Sequence, residues 1–183
     1  MKLADKNTVQ AAWIEKDETM SSNEQVLTTI GHSKLAEGLR DYEIAVLANL
    51  MTLQHYEVDG APLELDGVVL QDALMILVGG EIEITAKVNH EHVALHLDAP
   101  GDLARIISFV GGNVSIQARI SVKRDTTVLL LKRAALETLL VSHPPIAYYV
   151  MRNLVRHMHG VVRRSNTEKE EMSNYLYCIH GRY

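Results

Sequence analysis

Between His55 and Leu131 the chain breaks into short segments rich in Val, Ile and Leu. They lie at 54–58, 62–65, 67–70, 73–78, 81–88, 92–97, 114–121 and 126–131, with Asp-Gly, Gly-Gly and Pro-Gly pairs between several of them. Short apolar runs with a turn signal every several residues are typical of antiparallel sheets, whereas strand–helix repeats would carry a helical period between strands. This part of the chain therefore predicts an antiparallel sandwich or barrel.

Helical periodicity precedes the strand-rich part. Asn23 is placed to cap a short helix that carries Val26, Leu27 and Ile30 on one side. Asp41 is placed to cap a second helix, whose core-facing stripe is Ile44, Leu47, Leu50 and Met51. Residues 1–22 are polar apart from a small apolar cluster at Val9, Ala12, Trp13 and Ile14.

Helical periodicity also follows it. Leu136, Leu139 and Leu140 predict a short helix that ends near Val141, and Ser142 before two prolines predicts the cap of the next helix. That helix would run for roughly 30 residues, which is too long to pack wholly on one small barrel. We interpret it as a dimerisation helix whose stripe includes Val150, Leu154, Met158 and Val161; the alternative is a helix that packs partly on its own domain.

Composition excludes several classes of protein. A hydrophobic fraction of 47% supports a full core, and a net charge of -5 argues against broad binding to a phosphate backbone. The single cysteine, Cys178, excludes intrachain disulfides and multi-cysteine metal sites, and it fits a reducing compartment. Because there is neither a signal peptide nor an apolar run of about 20 residues, we expect a cytoplasmic protein without a membrane segment.

The stretch from Pro100 to Ile120, called the cassette below, is where glycine turns, a short apolar segment and small polar side chains converge. Three stretches resemble the cyclic-nucleotide-binding domain of the catabolite-activator family: residues 39–44, residues 72–82 and the Pro100-Gly101-Asp102 turn. The resemblance covers about residues 35–175. It implies a double-stranded β-helix, or jelly roll, mostly β with flanking helices and a long C-terminal helix.

The resemblance also implies a ligand site that this sequence alters. Family members carry Gly-Glu for the ribose and Arg for the cyclic phosphate; here those slots read Ala104-Arg105 and Val114. Losing a charge-assisted hydrogen bond costs roughly 1.5–3 kcal/mol, so ordinary cyclic AMP binding is not expected and no cofactor is predicted. The adenine-contacting pair falls at Val161-Val162. The candidate lining residues are Ala104, Arg105, Ile106, Ser108, Asn113, Val114, Ser115 and Gln117.

In the family a helix-turn-helix domain follows the long helix, but this sequence reaches Tyr183 without one. Direct DNA binding is therefore not expected, and the expected partners are a second copy and a regulatory protein. We divide the chain into a helical arm at 1–33, a jelly roll at 34–141 and a dimerisation helix with tail at 142–183.

Two clusters of basic residues and histidines have alternative interpretations. His90, His92 and His96 resemble the metal ligands of cupin barrels, but alternation places them on the strand face opposite Val93, Leu95 and Leu97, so no functional metal is predicted. The basic residues of the long helix form either a solvated face or a patch for an anion; they are Arg152, Arg156, His157, His159, Arg163 and Arg164.

No nucleophile beside a base and no paired carboxylates are evident, so an enzyme is not predicted. The sequence favours a stand-alone regulatory module with a degenerate cyclic AMP site that acts through a partner or self-association. The alternative is a nucleotide- or small-anion-responsive regulator that uses altered contacts, with Arg105 either binding the anion or filling the pocket.

Overall fold

The structure is a computed structural model that describes residues 22–58, 63–64, 72–88, 91–111 and 118–180. The helices are α1 (Ser22–His32), a 3-10 helix (Lys34–Ala36), α2 (Asp41–Ala48), α3 (Ile106–Val110), α4 (Arg133–Ser142) and α5 (Pro144–His180). The strands are β1 (Met51–Tyr56), β2 (Leu63–Glu64), β3 (Ala73–Val88), β4 (Glu91–Leu97), β5 (Leu103–Ala104) and β6 (Ala118–Lys132).

The strands pair in antiparallel fashion and are flanked by helices, as predicted; within the described residues they form one six-stranded sheet. Its central path is β1-β6-β3-β4, with β2 added to β6 and β5 added to β3. Pairing between β3 and β6 runs from Ala73 opposite Lys132 to Ala86 opposite Ala118. These two long strands are therefore the backbone on which both the helices and the cassette are placed.

The segments expected at 73–78 and 81–88 form one strand, β3, and the described part of the last two segments likewise forms one strand, β6. Gly79 and Gly80 make an irregularity in the pairing with β6 instead of a turn. Gly80 takes φ 102°, which favours glycine, and the buried Thr126 accepts the Glu81 N–H at 3.0 Å. The segment expected at 67–70 lies outside the described residues.

Three helix starts differ from the sequence predictions. Asn23 does not cap α1, because the helix already includes Ser22. The N-cap of α2 is Arg40, not Asp41, because Glu43 Oε2 accepts the Arg40 backbone N–H at 2.8 Å. Ser142 is the last residue of α4 and donates to the Thr138 carbonyl at 3.1 Å, so it does not cap α5. His143 alone separates the two helices, with φ -144° and ψ 63°.

The hydrophobic core has two parts, one on each face of the sheet. Leu74 and Ile76 of β3 face the helices, whereas Met75 and Leu77 face the opposite side. The helix-side core takes in Ile30 of α1, Phe109 of α3, Leu136 and Leu139 of α4, and four residues of α5: Ile146, Ala147, Val150 and Leu154. The second core contains Met75, Leu77, Ile82, Leu97, Ala104, Ile120, Val128 and Leu130.

This packing corrects part of the predicted dimer stripe. Val150 and Leu154 are fully buried in the chain's own helix-side core, so their side chains are not available to a partner. Met158 is half-buried and Val161 is exposed. The alternative reading, a helix that packs partly on its own domain, describes this first half of α5. Among the described helices, none has both the length and the apolar composition needed to cross a membrane.

Candidate functional site

The Pro100–Asp102 turn that opens the cassette is fixed by its own hydrogen bonds. Asp102 Oδ2 accepts the N–H groups of Asp98 and Ala99 at 3.2 and 3.1 Å. Gly101 takes φ 93°, and its N–H donates to the Leu77 carbonyl at 2.7 Å. The Leu77 N–H in turn donates to the Asp102 carbonyl at 2.9 Å, so the turn is bonded to β3 on both sides.

After the turn, β5 places its two residues on opposite sides of the sheet. Leu103 opposes Ile76 and belongs to the helix-side core, while Ala104 opposes Met75 and belongs to the second core. Ala104 is only 2% exposed, so its methyl group faces an apolar interior.

Arg105 is the N-cap of the short helix α3 and has an unusual backbone conformation. Its φ of 64° and ψ of 24° are left-handed, a region that costs an ordinary residue roughly 1–2 kcal/mol. Its half-buried guanidinium lies 3.4 Å from the Ser108 hydroxyl, and its carbonyl accepts the Phe109 N–H at 3.0 Å. A cation therefore stands at the start of the cassette helix, beside a hydroxyl.

The described candidate residues Ala104, Arg105, Ile106 and Ser108 lie together around α3. Ile106 is half-buried and packs against the helix-side core, so it supports the helix and does not face the second core with Ala104. Ile107 and Val110 are exposed. Asn113, Val114, Ser115 and Gln117 lie outside the described residues, and their place in the site stays a prediction.

An anchor that the sequence did not indicate holds the other end of α3. A Cβ added to Gly111 would lie 2.6 Å from Arg133 Nη1, so this arginine lies directly against the glycine that ends the helix. Arg133 Nη2 pairs with Asp72 Oδ2 at 2.6 Å, and the Arg133 N–H donates to the Asp72 carbonyl at 2.9 Å. No sequence spacing predicts this pair, because 61 residues separate its members.

A polar contact joins α5 to the segment around the 3-10 helix, residues 33–39. Asn153 is 2% exposed, and its Nδ2 donates to the carbonyls of Leu35 and Glu37 at 2.9 and 2.8 Å. Arg152 stacks on the Tyr149 ring at 4.5 Å and donates to the Glu37 carbonyl at 3.3 Å. Arg156 pairs with the Glu37 carboxylate at 3.6 Å. Part of the basic face is thus engaged with the chain itself.

His157 lies one turn beyond Asn153 and is half-buried. Burial lowers the pKa of its ring below the ordinary value, and the charges of Lys34 and Arg164 act in the same direction. The carboxylate of Asp102 opposes them. His157 therefore senses charges from the 33–39 segment, from the cassette turn and from its own helix.

Val161 and Val162, which occupy the adenine-contacting positions implied by the resemblance, are 56% and 55% exposed. On β4, Leu97 is buried and His96 is exposed, as alternation predicts, but Leu95 is 48% exposed where a core position was expected. His96 lies 3.3 Å from Glu83, whose pKa is lowered chiefly by its hydrogen bond to Lys123.

Among the residues searched for metal ligands, those that the structure describes, no group of three His, Cys, Asp or Glu side chains could hold an ion. His90 and the side chain of His92 lie outside that set.

Comparison with solved structures identifies the architecture. A cyclic-nucleotide-binding domain from Methylobacillus flagellatus KT matches with a TM-score of 0.65 and 21% identity, over 79% of this chain and 80% of that one. The fold is that of a cyclic-nucleotide-binding domain. The jelly roll with flanking helices and a long C-terminal helix is therefore confirmed.

Two further structures share the cyclic-nucleotide-binding fold. The catabolite activator protein of Thermus thermophilus matches with a TM-score of 0.61 and 23% identity, over 77% of this chain; the match spans 63% of the Thermus protein's length. The N-terminal domain of a transcriptional regulator from Streptomyces coelicolor A3(2) matches with a TM-score of 0.58 and 19% identity, over 73% and 94% of the two chains. No protein-family model and no curated protein matches the chain by sequence.

Proposed function

We propose that the chain is a regulatory, ligand-sensing module whose cassette no longer holds cyclic AMP by the usual contacts. Its fold is shared with a cyclic-nucleotide-binding domain and with two bacterial regulators, which supports binding as its activity instead of catalysis. The described site supports the same view, since the groups gathered around α3 are a cation, a hydroxyl and apolar side chains, without a nucleophile beside a base.

The observation that carries this proposal is Arg105. It is the N-cap of α3 and occupies the slot where the resemblance implies the acidic residue that accepts a ribose hydroxyl, and a guanidinium cannot accept a hydrogen bond. The adjacent Ala104 offers only a methyl group to the interior. Together with Val114 in the slot of the phosphate-binding arginine, this removes two charge-assisted contacts from a cyclic nucleotide.

Isothermal titration calorimetry with cyclic AMP and cyclic GMP tests the proposal. We expect no saturable heat from the wild-type protein, and a micromolar dissociation constant would contradict the degenerate site. The double variant Arg105→Glu with Val114→Arg restores both charges and should gain at least about tenfold in affinity, because each contact is worth roughly 1.5–3 kcal/mol. Val110→Arg adds a cation to the exposed side of the same helix and should gain nothing.

The second candidate is a regulator that responds to a small anion or a nucleotide through Arg105, Ser108, Asn113, Ser115 and Gln117. The half-buried cation of Arg105 beside the Ser108 hydroxyl favours it. Titration of 5′-AMP and inorganic phosphate into the same protein separates the two candidates. Saturable binding that is lost in Arg105→Gln supports the anion-responsive regulator. If the Arg105 guanidinium only fills the pocket, neither compound should bind.

For the partner, we propose a second copy that packs along α5. With Val150 and Leu154 buried, the outer stripe available to it is Tyr148, Val155 and Val162, which follow one another at seven-residue intervals. These side chains are 64%, 64% and 55% exposed. A seven-residue repeat of apolar side chains is the signature of a two-helix coiled coil. The half-buried Met158 lies at an intervening core position, whereas Met151, one heptad earlier, packs partly against the helix-side core.

A further inference from the structure

We propose that the junction of α4 and α5 is a second contact surface for the partner copy, beside the outer stripe of α5. This surface, called the α4–α5 corner below, consists of the exposed residues Leu140, Val141, Pro144, Pro145 and Tyr148. Its last member, Tyr148, is also the first member of the outer stripe. The inference rests on the proposed dimer and extends its interface from one helix to two.

The end of α4 presents apolar side chains to water. Val141 is 90% exposed, more than any other large apolar side chain in the described residues, and the neighbouring Leu140 is exposed as well. Two residues before Val141, Leu139 is buried in the helix-side core. Since successive residues of a helix are rotated by about 100°, Val141 lies on the side of α4 that faces away from that core. Apolar surface gathered in one place marks an interaction site, whereas scattered apolar residues do not.

The outward faces of α4 and α5 lie on the same side of the molecule. Both helices pack on the helix-side core, α4 through Leu139 and α5 through Ile146. One residue separates the two helices, so the Cα atoms of Val141 and Pro144 can be at most about 11 Å apart. Pro144 and Tyr148 are four residues apart on one face of α5. The corner and the outer stripe therefore form one continuous apolar surface.

The sequence around the corner carries no formal charge. From Thr138 to Met151 the chain has no Asp, Glu, Lys or Arg, although these residues make up 22% of the whole sequence. Few charged side chains together with an aromatic one are typical of the centre of a protein–protein interface. A surface that docks on anionic lipid would instead carry lysines or arginines beside its apolar side chains. The corner therefore fits a protein partner.

The occupant that we assign is a second copy, because the corner continues the outer stripe. A stable interface takes roughly 800 Å² and 20 to 30 residues from each partner, which the three described side chains of the outer stripe supply only in part. In a two-fold contact the same surface meets itself. The end of α4 in one copy then packs beside α5 of the other, and Val141 lies against the outer stripe of the partner.

Photo-crosslinking of the full chain tests which surface covers the corner. Benzoylphenylalanine in place of Val141 should give a covalent dimer on irradiation, and the linked peptide should map to residues 140–155 of the second chain. The same group in place of Leu95, an exposed apolar residue of the sheet, should give no dimer. A probe at position 141 that links only within its own chain, or to the sheet of the second chain, would contradict the proposal.

Val141→Lys tests what the contact contributes to the dimer. A lysine in the last turn of α4 is favourable for the helix, and the site is exposed, so the circular dichroism spectrum should be unchanged. Two ammonium groups in an apolar contact should raise the dimer dissociation constant at least about tenfold in sedimentation velocity. Leu95→Lys is the matched control and should leave the constant as in the wild-type protein.

Three outcomes separate this inference from the proposals on which it rests. If Val155→Glu is monomeric while Val141→Lys dimerises like the wild-type protein, the outer stripe is the interface and the corner is not. A wild-type monomer at micromolar concentration contradicts the stripe and the corner together, and leaves ligand sensing to calorimetry. Flotation with phosphatidylcholine vesicles that is lost in Val141→Lys would assign the corner to a lipid surface and overturn its assignment to a second copy.

Discussion

At His157 a titratable ring lies where α5, the cassette turn and the 33–39 segment meet. Burial disfavours its charged form and outweighs the opposing effect of the Asp102 carboxylate, and the cations of Lys34 and Arg164 act in the same direction as burial, so the folded pKa is below the ordinary value. In the unfolded chain the pKa returns to about 6.5. The unfolded state therefore binds the proton more readily than the folded state.

From that difference, stability should fall as the pH drops through about 6.5 and below, while above that range this residue contributes no pH dependence. His157→Gln removes the titrating group and should flatten the decline between pH 7 and pH 5 in urea-unfolding free energies. His159→Gln, on the exposed side of the same helix, is the control and should leave the slope unchanged. A wild-type slope that survives His157→Gln would contradict the assignment.

The sequence was informative about residue types in the cassette and silent about their anchors. The Pro-Gly-Asp turn and the Ala104-Arg105 pair can be read from the sequence, because each is a local pattern. The Arg133–Asp72 pair and the Asn153 contacts join residues far apart in the chain, and no local propensity reports such pairs. The pairing of Ala73 with Lys132 brings Asp72 beside Arg133, and the packing of α5 on the helix-side core brings Asn153 to Leu35 and Glu37.

Among the elements, the long β3–β6 pair depends on its irregular point at Gly80. A Cβ there would overlap Thr126 and lie 2.5 Å from the Asp125 carbonyl oxygen, while the backbone sits at φ 102°. Thr126 is fully buried. Its Oγ1 accepts the Glu81 N–H at 3.0 Å and donates to the Arg124 carbonyl at 2.5 Å. These hydrogen bonds fix the bulge, so making room for a side chain at Gly80 would break them.

Gly80→Ala should lower the free energy of unfolding by about 2 kcal/mol or more, since it adds backbone strain to steric overlap. Chemical denaturation followed by circular dichroism measures the change. Gly79→Ala is the matched control, because its Cβ would meet nothing within 4 Å, and the change should stay within about 0.5 kcal/mol. Equal losses in the two variants would show that the bulge tolerates a side chain.

The irregularity at Gly79 and Gly80 also explains why the structure has fewer strands in this region than the sequence predicted. In a sequence, two adjacent glycines are typical of a hairpin turn. Here they allow β3 to shift its register against β6, and the strand continues beyond them. Bulge and turn share the same residue preferences, and only the partner strand decides between them. The long helix was predictable because helical periodicity is a local pattern. Which of its apolar stripes is buried depends on tertiary packing, so the sequence did not predict it.

For the molecule as a whole, α5 has one apolar stripe buried in the chain's own core and another exposed on its surface. Ile146, Val150 and Leu154 are buried in the helix-side core, whereas the outer stripe of Tyr148, Val155 and Val162 is exposed. The same core includes Ile30 of α1, so α1, the sheet and the first half of α5 are packed together. The division of the chain at 33 and 141 stays a prediction.

If the outer stripe is the dimer interface, Val155→Glu should convert the protein to a monomer, because it places two facing carboxylates in an apolar seam. Sedimentation velocity or light scattering gives the mass directly. Leu95→Glu puts the same charge on a comparably exposed apolar site of the sheet and should leave the dimer intact. A wild-type monomer at micromolar concentration, or a dimeric Val155→Glu, would exclude this interface.

The two-sided packing of β3 restricts which positions near the cassette can vary without disturbing the helices. Leu74 and Ile76 alternate with Met75 and Leu77, so a bulkier or smaller side chain on one face moves the strand against which the other core packs. Arg105 is under less restriction, because it follows the two-residue strand β5 at the border of β3 and leads straight into α3. A substitution at Arg105 should therefore disturb the sheet less than a substitution at any of these four central side chains.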